Sequence, residues 1–179
     1  MKITTNSSHE GACLMSSLLF KPLEQSDIPA LMAIYNHFVV HTTVSFHTEP
    51  VTISEFTESV IHPNPRYQTD VILLDGIVQG YVQVMPHKKK QAYDTTGEVT
   101  IYLHPDCVGK GIGSAAIQHI EAIAKERGFH SLISTICSDN NPSIHTFTKN
   151  GYKQCAHFRE VGFKWGTFLD IVTYQKIIG

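Results

Sequence analysis

Three glycines in eleven residues make His104-Pro105-Asp106-Cys107-Val108-Gly109-Lys110-Gly111-Ile112-Gly113-Ser114 the stretch with the clearest capacity for chemistry. Gly109, Gly111 and Gly113 let the backbone come close to a bound group. The helical run that starts at Ile112 aims free N–H groups and a positive dipole end at the same space, which suits a pyrophosphate. The competing reading is a tight strand-to-helix turn with no ligand, because a glycine-rich loop alone is a weak signal. The dinucleotide fingerprint G-x-G-x-x-G is excluded: Ser114 stands at its last position, and no acidic residue ends a second strand about 20 residues on. The nucleotide pattern G-x-x-x-x-G-K-S/T is absent.

Strands and helices must hold this loop in place. Ser26-Asp27-Ile28-Pro29 reads as a helix start with proline in the first turn, and Ile28, Leu31, Ile34, Tyr35 and Phe38 recur at helical spacing. Thr52 and Glu55 have capping-box spacing for a second helix, with Ile53, Phe56 and Val60 on its buried face and His62-Pro63-Asn64-Pro65 as its stop. Asp75-Gly76 between the β-rich runs 71–74 and 77–84 signals a two-residue hairpin. The run 98–104 alternates as a third strand closed by Pro105, after which Ile112, Ala116, Ile120 and Ala124 mark a helix with Gly128 just beyond its end. A strand over 132–137, a short helix from Asn141-Pro142 to Asn150-Gly151, and strands over about 152–161 and 167–176 follow. The order α, α, β, β, β, α, β, α, β, β predicts a mixed α/β sheet covered by helices rather than a doubly wound parallel one.

The 179 residues, 42% hydrophobic and 17% charged, suit one domain over 18–179, with the polar, aperiodic residues 1–17 as an N-terminal extension. A formal charge of −2 gives no global support to nucleic-acid binding. No apolar run approaches the roughly 18 residues of a membrane helix, so a cytoplasmic protein is expected, with no membrane or nucleic-acid partner. Cys13, Cys107, Cys137 and Cys155 form no close ligand pair, and none of the eleven histidines falls in an HExxH arrangement, so no metal is expected.

With these alternatives removed, the loop is close to the pyrophosphate-binding pattern Arg/Gln-x-x-Gly-x-Gly/Ala of the GNAT superfamily of N-acetyltransferases. Asn140, Ser143 and Gly151-Tyr152 match further landmarks of that superfamily, and the order of elements is similar. Within it the chain resembles the branch of the phosphinothricin and methionine sulfoximine and sulfone acetyltransferases. Four stretches carry this likeness: Ile34-Tyr35-Asn36, the segment from Val44-Ser45-Phe46 to Glu49-Pro50, Glu98 through Pro105, and Arg159 through Gly166 followed by Leu169-Asp170. The likeness spans about 19–176. It implies a mostly antiparallel central sheet flanked by helices, acetyl-CoA as cosubstrate, a small-molecule amine as acceptor and, together with the apolar C-terminal strands, a homodimer.

The resemblance also implies roles. An amine attacks a thioester only when neutral, so a carboxylate must take its proton, directly or through water, and Glu98 stands where the branch carries that base. Alone, Glu98 also reads as an exposed strand-end acid. Ile101, Tyr102 and Leu103 would meet the pantetheine arm, with a backbone N–H to polarise the thioester carbonyl. Gly109, Lys110, Gly111, Ile112, Gly113 and Ser114 would hold the pyrophosphate, Asn140 and Ser143 the pantetheine, and Lys149 would reach the cofactor from the last helix; Asn140 also reads as a helix cap. Phe46, Lys88, Lys90, Gln91, Ala92 and Tyr93 match the acceptor-binding positions, with lysines where the branch often has arginines. The basic run 88–90 also reads as a solvated loop, and Phe46 and Tyr93 as core aromatics.

Two departures stand out. Val108 replaces a usual Arg or Gln, and Phe147 replaces the usual His or Tyr that would protonate the leaving thiolate, with Tyr102 as a substitute donor. A thiol of pKa about 8.5 leaves tolerably without such help. The resulting expectation is acetyl transfer by direct attack, with no covalent enzyme intermediate. The alternatives are transfer to a polyamine, drug or protein amine, or a non-catalytic acyl-CoA sensor.

Overall fold

The computed structural model describes residues 17–179; the extension expected over 1–17 lies, apart from Ser17, outside the described residues. Seven strands form one sheet: β1 (Leu18–Pro22), β2 (Gln68–Leu74), β3 (Ile77–Pro86), β4 (Thr96–Leu103), β5 (Ser131–Cys137), β6 (Lys153–Lys164) and β7 (Thr167–Ile177). Their order is β1-β2-β3-β4-β5-β7-β6, antiparallel throughout except for the β4–β5 pair. Helices α1 (Ile28–His41) and α2 (Ile53–Val60) cover one face, and α3 (Ile112–Glu126) and α4 (Asn141–Lys149) the other. Val82, Val84, Val99, Ile117, Ile120, Leu132 and Phe147 fill the α3–α4 core, and Leu31, Phe56, Val71 and Tyr81 the α1–α2 core.

Local signals landed where expected. Thr52 accepts from the Glu55 amide while the Glu55 carboxylate takes the Thr52 N–H, a complete capping box. Asp75 and Gly76 both take positive φ in the β2–β3 turn. Gly128, at φ +74°, ends α3 and lets Phe129 N–H reach back to the Ala124 carbonyl at 3.0 Å.

Several strand boundaries differ from the sequence reading, three of them with an identifiable cause. β1 is an added edge strand, pairing Leu18 with Leu74 through Pro22 with Asp70; five residues were too few to show an alternation. β2 starts at Gln68, three residues early, because its polar opening is buried and satisfied from afar. Thr69 donates to the Val60 carbonyl, and Asp70 accepts from Gln68 and from His119 on α3. β6 runs three residues past the expected end at 161, to Lys164, because the shift of register between Phe158 and Gly162 lets pairing resume after Arg159-Glu160. The Glu160 N–H, at φ +55°, is held there by Asp170 at 2.8 Å.

Gly80 sets how closely β3 and β4 approach. A Cβ there would lie 2.0 Å from the Tyr102 carbonyl oxygen and 2.9 Å from Leu103 Cα, against backbone that cannot yield. Gly80→Ala is therefore expected to lower unfolding free energy by about 2 kcal/mol or more, read by urea denaturation.

Candidate active site

β4 and β5 pair over only three positions, Thr96 with Ser131, Gly97 with Leu132 and Glu98 with Ile133. Beyond Glu98 the two strands part, although β4 continues to Leu103 and β5 to Cys137. A cleft of about 760 Å³ opens in the fork and extends to the glycine turn, the cleft face of α4 and the loop that follows α1.

Most residues expected to touch a cofactor converge here. Ile101, Tyr102, Leu103, Gly109, Gly111, Gly113, Ser114, Asn140, Ser143 and Lys149 line the cleft. Lys110 is exposed and Ile112 is buried in the core, so neither side chain does. Gly109 and Gly111 adopt φ of +81° and +79°, and a Cβ on either would meet nothing within 4 Å, so the turn has both the backbone conformation and the open space a bound group requires. Gly111 begins α3 without a side-chain cap, and the first helical hydrogen bond runs from Ala115 N–H to its carbonyl at 3.2 Å. The amides of the first turn thus have no partner within the helix and face the kind of space where an anion is stabilised. Asn140 lines the cleft, and its Oδ1 accepts the Ser143 amide at 3.2 Å to cap α4.

The aromatic positions sort differently. Phe147 is buried, edge-on to Tyr152 at 4.9 Å, and can donate no proton. Tyr102 lines the cleft, but burial pushes its phenol far above the ordinary range, with the nearby Tyr35 adding to the shift. A phenol held that high stays protonated and is a poor acid toward a thiol, although it remains a hydrogen-bond donor.

Strand alternation puts Glu98 and Tyr102 on the α1–α2 face, and Val99, Ile101 and Leu103 on the other. Glu98 therefore sits at the apex of the fork, partly exposed, with Oε2 3.2 Å from His87 Nδ1. His87 escaped the sequence reading. Only the β3–β4 register, which sets Met85 against Glu98 and Pro86 against Gly97, shows that the next residue comes back to this carboxylate.

None of the expected acceptor residues lines the main cleft. Phe46 lies over Gly162, where a Cβ would come within 2.7 Å of its ring, and borders a small hollow with Thr135, Cys137 and Ile171. These residues share the sheet face of Glu98, since Ile133, two positions before Thr135 on β5, is paired with Glu98. Tyr93 meets His87 edge-on at 5.9 Å, bringing its loop to the Glu98 end. Lys88, Lys90, Gln91 and Ala92 are exposed to solvent.

Lys164 also went unread. It is 2% exposed, and its Nζ donates to the carbonyls of Val39, Thr42 and Ser45, each at 2.8 Å, using all three protons. Burial lowers its pKa below the ordinary lysine value. The ammonium satisfies a carbonyl at the C-terminal end of α1 and fixes the loop whose Thr42, Thr43 and Val44 wall the cleft. Lys164→Met leaves three carbonyls without this donor. It is expected to cost about 3 kcal/mol in urea denaturation and to raise KM for acetyl-CoA.

Among the described residues, no three His, Cys, Asp or Glu side chains gather as a metal site, and no helix is long and apolar enough to cross a membrane. Residues 31–152 match the acetyltransferase (GNAT) family. Phosphinothricin N-acetyltransferase of Streptomyces viridochromogenes is 31% identical over 156 residues, 87% of this chain and 85% of that protein. The L-methionine sulfoximine/L-methionine sulfone acetyltransferase of Salmonella typhimurium is 28% identical over 85% of this chain and 90% of its own length. The crystal structure of a phosphinothricin acetyltransferase from Sinorhizobium meliloti with acetyl-CoA superimposes with a TM-score of 0.85 at 25% identity, covering 92% of this chain and 89% of that one. Kinship thus accounts for a glycine turn set at the mouth of two parting strands: the chain belongs to the GNAT acetyltransferase family and is an acetyl-CoA-dependent N-acetyltransferase.

Proposed function

We propose that the acceptor is the primary amine of a small amino acid analogue of the phosphinothricin or methionine sulfone and sulfoximine type, acetylated by direct attack with Glu98 as general base. The placement of Glu98 at the last β4–β5 pair, on the strand that lines the cleft from Ile101 onward, carries this reading. The names of the relatives give the acceptor class.

Bound acetyl-CoA supplies an acetyl thioester. Gly109, Gly111, Gly113 and Ser114 hold its pyrophosphate through backbone amides, while Asn140, Ser143 and Lys149 border the rest of its path. Beyond Glu98, β4 lacks a strand on its β5 side, so alternate backbone N–H groups over 101–103 are free to bind the pantetheine arm and polarise the carbonyl oxygen. Glu98 takes a proton from the acceptor ammonium or, as attack proceeds, from the forming amide nitrogen. The N–C bond forms, the C–S bond breaks, and thiolate departs to be protonated by water, since Phe147 cannot serve. Cys107 is hydrogen-bonded to Gln79 and Cys155 to the Thr173 carbonyl, neither beside a base, which supports direct transfer over a cysteine intermediate.

Phe46 shares the sheet face of Glu98, Tyr93 packs on the His87 that meets Glu98, and Lys88 and Lys90 supply positive charge for an acceptor carboxylate from the rim. The exposed Phe158, Val161, Phe163 and Phe168 of β6 and β7 support a homodimer closing over this edge of the sheet. The free cysteines and the acetyl-CoA requirement fit a cytoplasmic enzyme.

Release of CoA thiol is the direct test, with phosphinothricin, methionine sulfone, methionine sulfoximine and spermidine as acceptors. Turnover is expected with the amino acid analogues and is expected to fall by about 10²-fold or more in Glu98→Gln. Turnover with spermidine alone would reassign the acceptor. Light scattering of the purified chain is expected to give twice the 20.0 kDa chain mass.

A further inference from the structure

We infer that His87 is a positioning residue for the base: its Nδ1–H donates to one oxygen of Glu98 and leaves the other to receive the acceptor's proton. The inference rests on Glu98 being that base. A glutamate on a strand has three side-chain torsions to fix, and among the described residues His87 is the one side chain that hydrogen-bonds it, at 3.2 Å.

The surroundings of the pair are built rather than incidental. His87 directly follows β3, whose seven-pair register with β4 fixes its backbone relative to Glu98. Tyr93 covers the imidazole edge-on at 5.9 Å, and its own loop is locked by Tyr93 N–H to the Lys90 carbonyl and Asp94 N–H to the Gln91 carbonyl, each at 2.9 Å. The imidazole side chain is 18% exposed and the carboxylate 31%, so the donor is the more sheltered member and the acceptor the more open one. That asymmetry suits a fixed support behind a base that a substrate must reach. Holding the carboxylate before the acceptor arrives removes an ordering cost from the reaction itself.

His87→Asn, His87→Leu and Glu98→Gln separate the possibilities, with acetyl-CoA and methionine sulfone as the probe. Asparagine places an amide N–H close to the position of Nδ1, whereas leucine fills the space without a donor. The expected result is a fall in kcat of about 10-fold or more for His87→Leu at unchanged acetyl-CoA affinity, with His87→Asn restored to near the wild-type rate. In the Glu98→Gln background, His87→Leu is expected to add little. A slow His87→Asn would show that the ring titrates rather than positions, and a fully active His87→Leu would remove it from the reaction; either overturns the inference. If Glu98→Gln retains wild-type turnover, the base assignment fails and His87 falls with it. A ring ¹⁵N spectrum reads the contact without any acceptor: the His87 Nδ1 resonance is expected to move in Glu98→Gln. An unmoved resonance would mean that the hydrogen bond does not exist in solution, and would overturn the inference even where a leucine variant failed to fold.

Discussion

Everything functional in this molecule follows from two neighbouring parallel strands that stop pairing. A sheet interior ordinarily satisfies each backbone donor and acceptor from the next strand, and an unpaired buried group carries a penalty. β4 and β5 give up that pairing after Glu98, so the fork persists only if other groups occupy it. On the α3–α4 side, Ile101 and Leu103 remain anchored against the core around Val99, Ile112 and Phe147, while β5 stays paired with β7 along its whole length. The exposed strand edge is thereby presented to an extended ligand whose own amides can take the place of a missing strand.

The same logic places charge. The uncapped first turn of α3 and the left-handed glycines before it form a patch of backbone donors at the far end of the fork, while Glu98 stands at the apex. Donors for an anion and an acceptor for a proton are thus separated by the length of an arm-like substrate. Val108, where a charged side chain would be usual for such a loop, leaves that task to backbone N–H groups, and those owe nothing to side-chain identity.

Features written in local grammar were legible: the Thr52–Glu55 capping box, the Asp75-Gly76 turn, the glycine stop of α3 and the glycine turn that opens it all declare themselves within a few residues. What escaped depends on partners remote in the chain. Asp70 lay before the expected strand start at 71, and the His119 that helps satisfy it is 49 positions away. Lys164 lay beyond the expected strand end at 161, and its three carbonyl partners lie 119 to 125 positions earlier. His87 required the hairpin register before its proximity to Glu98 could be seen. Asn36, part of a recognisable stretch, proved to clamp Val51 through both its amide groups, holding the α1–α2 connection rather than a ligand. A family likeness marks such positions without saying which of them touch substrate.

Lys164 has a mechanical meaning as well. Its ammonium ties the last strand-to-strand turn, where Trp165 and Gly166 both hold positive φ and the Trp165 ring lies 4.6 Å from Nζ, to the end of α1 and the loop behind it. Those two regions meet nowhere in sequence, yet one cation makes them a single rigid piece of the cleft wall. Phe46, packed over Gly162, joins the same loop to the same hairpin a second time, so the wall of the cleft is set by β6 and β7 as much as by α1.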